Sequence, residues 1–265
     1  MPELKALLFD VDGTLADTER DGHRVAFNRA FADAGLDWHW SVEDYGWLLQ
    51  VTGGKERMRF FIEQRKPPLP EGVDIDRMII DLHKAKTGHY TRLLGEGRIP
   101  LRPGIEPLLR EAHEQRMRIA IATTTTPDNV TALLRNTLGP ASIDWFEVIG
   151  AGDIVPHKKP AGDIYTWVME KMNLSPGECL AFEDSENGVL AVHDAGIRAM
   201  IITTNGYTTD HDFDGATTVI DTLCGDGQSP LKVLAGFDPQ TGCIDVAAAR
   251  RVHAAAHATA GKLTA

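Results

Sequence analysis

Two carboxylates one residue apart, Asp10 and Asp12, follow an apolar run from Lys5 to Phe9 and precede Gly13 and Thr14. Alternation along an extended chain can aim both to one side, close enough to hold one divalent cation through oxygen. A solvated Asx-Gly turn uses the same residues. The buried run before it favours chemistry, because ligands in open α/β sheets bind beyond the carboxyl ends of the strands. A second acidic pair, Glu183-Asp184, follows another apolar run, Cys179 to Phe182. Four carboxylates at one sheet edge repel unless a cation holds them. Oxygen ligands with an open position for phosphate point to magnesium rather than zinc. The metal candidates are therefore Asp10, Asp12, Glu183 and Asp184.

Other residues are suited to the anion that such a cation would serve. The run Met117 to Ala122 leads into four threonines, Thr123 to Thr126. A threonine at a strand end offers a hydroxyl to a phosphoryl oxygen, and the next backbone N–H can join it. A strand end with a helix cap is the plainer reading, and position decides between them. Lys158 and Lys159 precede Pro160. The residue before a proline is held extended, which fixes its direction and favours Lys159 over Lys158; a solvated basic pair is the alternative. In Thr52-Gly53-Gly54-Lys55-Glu56-Arg57, two glycines ahead of a helix free N–H groups to face an anion. The spacing is not that of a P-loop, and a plain helix–helix turn also uses glycines.

These side chains need a scaffold. Apolar runs at residues 5–9, 117–122, 145–149, 179–182 and 198–203 read as strands of a mostly parallel sheet, with a short edge strand at 217–220. Residues 17–97 read instead as helices. In 18–34, Phe27, Ala30, Phe31 and Ala34 share one face, and Gly35 fits a stop. Ser41 with Asp44 three residues on looks like a helix start. In 76–94, Ile79, Leu82, Tyr90 and Leu93 define an inward face. His23 shares the apolar face of its helix, either as a core histidine or as a functional one. Lys86 lies within the inward arc, which is costly unless it snorkels or meets an anion; the anion is the sharper reading. Glu19 stands near the mouth of the site; the plainer reading is a first-turn acid favoured by the helix dipole. Arg102-Pro103-Gly104 marks the return to the sheet domain. The expected organisation is a core of 1–16 and 98–224, a helical cap of 17–97 and a C-terminal extension of 225–265 ending in an Ala-rich helix.

The chain of 265 residues has room for a core domain and a smaller one. A net charge of −11 disfavours nucleic acid and anionic membranes but not a small phosphorylated ligand in a local basic pocket. No apolar run approaches a membrane span. Three cysteines, Cys179, Cys224 and Cys243, are widely spaced and fit neither a disulfide framework nor a zinc pattern. That suggests a reducing compartment, and with no leader segment visible a cytoplasmic location is expected. A monomer is expected.

Taken in order, Asp10-x-Asp12, Thr123, Lys159 and Glu183-Asp184 resemble the four signatures of the haloacid dehalogenase-like phosphatases. The helical insert is similar to the cap of the β-phosphoglucomutase-like branch. Thr18 to Arg24, Gly53 to Met58, Leu82 to Thr87, Leu101 to Gly104 and Glu183 to Ser185 most resemble the CbbY family of xylulose-1,5-bisphosphate phosphatases. The likeness covers residues 1 to about 224. It implies an α/β, Rossmann-like sheet in the order 5-4-1-2-3 with an inserted α-helical cap. It implies Asp10 as nucleophile, Asp12 as general acid and base, Thr123 and Lys159 as phosphoryl binders, and Mg2+ as cofactor. The expected substrate contacts are Glu19, His23, Lys55, Arg57, Lys86, Arg102, Thr124 and Thr125. A sugar-phosphate mutase shares this site and cap, and a non-catalytic phosphosugar-binding protein shares the fold. The likeness decides for the phosphatase.

Overall fold

The computed structural model describes residues 1–225 and 230–258. Seven strands form one sheet: β1 Ala6–Phe9, β2 Arg118–Ala122, β3 Val148–Gly150, β4 Cys179–Glu183, β5 Ala199–Thr203, β6 Thr218–Ile220 and β7 Val233–Gly236. Their order is β3-β2-β1-β4-β5-β6-β7, which contains the expected 5-4-1-2-3. All neighbours pair in parallel except β6 and β7. Strand alternation divides the core in two. Leu7, Phe9, Ile119, Ile121, Leu180 and Phe182 face one side, and Ala6, Leu8, Ala120, Ala122 and Ala181 the other. Both faces are covered by helices, which is why these strands read as continuous apolar runs.

The cap consists of α1 Arg24–Asp33, α2 Val42–Leu48, α3 Gly54–Arg65 and α4 Ile75–Gly95. It has its own core, in which Phe27, Phe31, Trp38, Trp40, Tyr45, Leu48 and Met58 are buried. Ser41 caps α2 in a reciprocal capping box with Asp44, as its sequence predicts. Ile79, Leu82, Lys86, Tyr90 and Leu93 are buried along α4, the face that periodicity assigns. The helix expected from residue 18 opens as a π-helical turn, Glu19–His23, before α1.

The remaining helices are α5 Ile105–Glu114, α6 Pro127–Thr137, α7 Asp163–Met172, α8 Glu186–Asp194 and α9 Val246–Ala258. No described helix is long and apolar enough to cross a membrane.

Three expectations need correction. The strand ending in Ile220 is not an edge, because β7 from the expected extension pairs antiparallel with it. Trp145 belongs to a 3-10 turn, Pro140–Trp145, so β3 begins only at Val148; Pro140 opens that turn, and the Trp145 ring stacks on His113. Cys224 and Cys243 form a disulfide. They pair across an isolated antiparallel bridge after the chain has reversed through β7, a proximity that their separation of 19 residues does not reveal. Cys179 is free and buried in β4. Ile244, Val246, Ala248, Ala249 and Val252 join the core on the sheet face that carries Leu7 and Phe9. Residues 226–229 and 259–265 of the expected extension lie outside the described residues.

Candidate active site

Register brings the site together. Phe9 pairs with Ile121 on one side and Phe182 on the other, so β1, β2 and β4 end level. Asp10, Thr123 and Glu183-Asp184 therefore emerge at one sheet edge. Lys159 comes from the loop before α7, across a cis Lys159–Pro160 peptide. Its Nζ donates to Asp10 Oδ1 at 2.6 Å and to Glu183 Oε1 at 2.5 Å. The Tyr165 hydroxyl, from α7, donates to the same Glu183 oxygen at 2.6 Å. Asn205, in the loop after β5, donates to Asp184 Oδ2 at 2.6 Å. Gly13 is required here: its φ is +84°, and a Cβ would fall 2.1 Å from Asp184 Oδ2.

One oxygen each from Asp10, Glu183 and Asp184 lies within 4.8 Å of the others, and all three residues are buried. Burial raises the Asp10 carboxyl, and the Glu183 and Asp12 charges add to this against the pull of Lys159. Burial also raises Asp184 well above the usual carboxylate range, with Asp10 and Glu183 contributing. The Lys159 ammonium is disfavoured by burial, but Asp10 and Glu183 outweigh that and raise it. Three buried carboxyl groups with one ammonium resist ionising together. A hard divalent cation fits that donor set.

The Asp12 side chain is not part of the cluster. Its Oδ1 accepts from Thr18 Oγ1 at 2.5 Å and lies 2.7 Å from His23 Nε2. Lys86 Nζ lies 2.8 Å from His23 Nδ1, so a buried chain runs from the cap to Asp12. Donation from Lys86 to Nδ1 assigns the ring proton to Nε2, facing the Asp12 carboxylate. Burial would raise Asp12, but His23, Thr18 and the Lys86 charge outweigh it and hold the carboxyl below its usual range. Burial lowers Lys86 itself to about 8.

Two adjoining cavities meet at Asp12, Glu19, Arg57 and Thr124. The larger, about 550 Å³, also exposes Asp10, Thr123, Lys159, Glu183 and Asp184. The smaller, about 140 Å³, lies between cap and core and is lined by His23, Lys55, His83, Lys86, Thr125 and Lys158 among others. The Thr123 hydroxyl accepts from Thr125 N–H at 3.3 Å, and Thr125 Oγ1 accepts from Asn129 at 2.9 Å. Lys55, on the cap, pairs with Asp153 of the core. Lys158 bridges back from the core to Glu56 at 2.8 Å and to Asp153 at 2.9 Å.

Of the residues expected to contact substrate, Glu19, His23, Lys55, Arg57, Lys86, Thr124 and Thr125 line these cavities. Arg102 does not. Its buried guanidinium donates to the carbonyls of Gly13, Thr203, Thr204 and Asp221. It clasps the loop after β1 to the loop after β5, so the expectation of a substrate contact is corrected. Sequence reading missed Tyr45, Tyr165 and Asn205, which belong to no local motif. Lys159 meets Asp10, and Lys158, which the sequence does not single out, lines the smaller cavity.

A family model for the haloacid dehalogenase-like hydrolases matches residues 4–196. The chain is 49% identical to the protein CbbY of Rhodobacter capsulatus over 81% of its length and 91% of the relative's. A crystal structure of CbbY from Rhodobacter sphaeroides in complex with phosphate aligns with a TM-score of 0.77 at 44% identity, covering 83% of this chain and 94% of that one. A mutant of that same protein in complex with xylulose-1,5-bisphosphate aligns equally well, with the same identity and coverage. A β-phosphoglucomutase from Clostridium difficile, 22% identical with a TM-score of 0.66 over 83% of this chain and 91% of that one, shares the fold. The chain belongs to the haloacid dehalogenase-like hydrolase family, among the CbbY proteins.

Proposed function

We propose that this chain hydrolyses xylulose-1,5-bisphosphate to xylulose-5-phosphate and phosphate, removing a sugar that inhibits Rubisco, and that it does so as a monomer. The observation that carries this reading is the join of the two cavities. One end holds Asp10, Lys159 and the buried carboxylates. The other gathers Lys55, Lys86 and Lys158, with Arg57 at the junction, where a second phosphate needs positive charge. The similar CbbY protein of Rhodobacter sphaeroides in complex with xylulose-1,5-bisphosphate supports the choice of ligand.

Asp10 and Asp184, with the Asp12 carbonyl and with Glu183 behind them, would hold magnesium. When bound there it neutralises charge on the transferred phosphoryl group. In the reaction, an Asp10 oxygen attacks phosphorus in line; the bond to the sugar oxygen breaks and an aspartyl-phosphate forms. Asp12 gives its proton to the leaving alkoxide, then takes one from the water that attacks the aspartyl-phosphate. Negative charge on the arriving phosphoryl group raises Asp12 and so favours the protonated acid that the first step needs. Lys159 and Thr123 bind the phosphoryl oxygens. Cap closure excludes bulk water.

The test is phosphate release from a panel of sugar mono- and bisphosphates with magnesium present. Xylulose-1,5-bisphosphate is expected to be the best substrate. An isomerised sugar phosphate without phosphate release would replace this reading with a mutase.

A further inference from the structure

Glu19 and Arg57 carry opposite charges, and both line the two cavities. They form a long ion pair, with Arg57 Nη1 3.5 Å from Glu19 Oε2, but no direct hydrogen bond. The Tyr45 hydroxyl lies between them. It accepts from Arg57 Nη1 at 2.5 Å and donates to Glu19 Oε2 at 2.5 Å. The Arg57 guanidinium also lies 5.0 Å from the centroid of the Tyr45 ring.

That hydroxyl has little freedom to leave. Tyr45 sits in α2 and is fully buried. Its ring packs against Phe27, Trp40 and Tyr207, with centroids 6.3, 5.9 and 6.1 Å away. Tyr207 belongs to the core loop after β5, so the ring is held from both cap and core. Burial raises the phenol well above its ordinary value, and the group remains a donor.

We propose that Tyr45 is a positioning residue for substrate selection: its hydroxyl separates Glu19 from Arg57 and keeps both available to the cavity. Glu19 then accepts from sugar hydroxyls, and Arg57 meets the anionic group remote from Asp10. This rests on the phosphosugar reading above. Without the hydroxyl, two opposite charges in a poorly solvated site tighten from this long ion pair into a direct hydrogen-bonded one. Each then satisfies the other and is lost to the ligand. Phosphoryl transfer at Asp10 uses neither group, so the consequence belongs to binding.

Tyr45→Phe keeps the ring and removes only the oxygen. For the phosphosugar that the wild-type enzyme hydrolyses best, KM should rise about tenfold or more, the scale of a lost charge-assisted hydrogen bond. Its kcat should stay within about twofold, and hydrolysis of p-nitrophenyl phosphate should be unchanged. A destabilised cap would instead lower both activities together, and that result, or an unchanged KM, overturns the proposal. In a Glu19→Gln background the same change should cost much less, since no ion pair can form; full additivity overturns it as well. A crystal structure of Tyr45→Phe, with Glu19 and Arg57 expected in direct contact, reads the positioning without reference to substrate. Retention of the 3.5 Å gap there refutes it. Preference for a different phosphosugar corrects the substrate named above and leaves the comparison to be made on that sugar.

Discussion

Asp10 is held by Lys159 at 2.6 Å, with Glu183 and Asp184 close behind. Replacing its carboxylate by the isosteric amide removes the nucleophile but keeps an acceptor for Lys159. Asp10→Asn should lower turnover by about four orders of magnitude or more, and mass spectrometry should detect no phosphoenzyme. Thermal unfolding should remain cooperative. Appreciable turnover in that variant would exclude covalent catalysis by Asp10. Arg102 makes the contrasting case. Its donors go to four backbone carbonyls rather than to a ligand cavity. Arg102→Ala leaves those buried acceptors unpaired, which should destabilise the protein by about 3 kcal/mol or more in urea unfolding. A raised KM at unchanged stability would return Arg102 to the substrate. Its residue type suggested an anion contact; the four carbonyls it serves come from three separate places in the chain and left no local sign.

At the scale of elements, the level ends of β1, β2 and β4 are what convert scattered residues into a site. Those strands were legible because each is a short apolar run ending in polar residues. The inward face of α4, Lys86 included, was legible because helical periodicity is local. Tyr165 and Asn205 were not, since what they do depends on which strand ends neighbour β4. The same holds for β7 and for the Cys224–Cys243 pair, both products of a late chain reversal. The start of α3 sets a testable pairing. Lys55 lies two residues after Gly53, whose φ is +96°, and pairs with Asp153 of the core. If the distal phosphate takes Lys55 from Asp153, Lys55→Ala should weaken bisphosphate kcat/KM by roughly tenfold or more. Small monophosphates, which do not reach that end, should be spared. Equal losses on both classes would assign Lys55 to cap closure through its Asp153 pair.

For the whole molecule, a net charge of −11 surrounds an internal collection of cations. Lys86, on α4 with His83, and Lys55 come from the cap and Lys158 from the core, and all three line the smaller cavity with His83. Burial is the largest reason that His83 is lowered to about 3, and the charges of Lys86, Lys55 and Lys158 follow. Its pKa in the unfolded chain is about 6.5. Between these values the unfolded chain binds a proton that the folded one refuses, so stability contributed by His83 is full above 6.5 and falls as pH drops toward 3. From pH 7 to pH 5 the wild-type protein should lose up to about 2 kcal/mol more stability than His83→Gln, which has nothing to protonate. Urea unfolding of both proteins at the two pH values measures the difference, and the comparison cancels the carboxylates that titrate in each. Raised ionic strength should shrink the lysine contribution while leaving the burial contribution in place. Parallel stability curves for the two proteins would mean that His83 is solvated and that cap and core do not close around it as described.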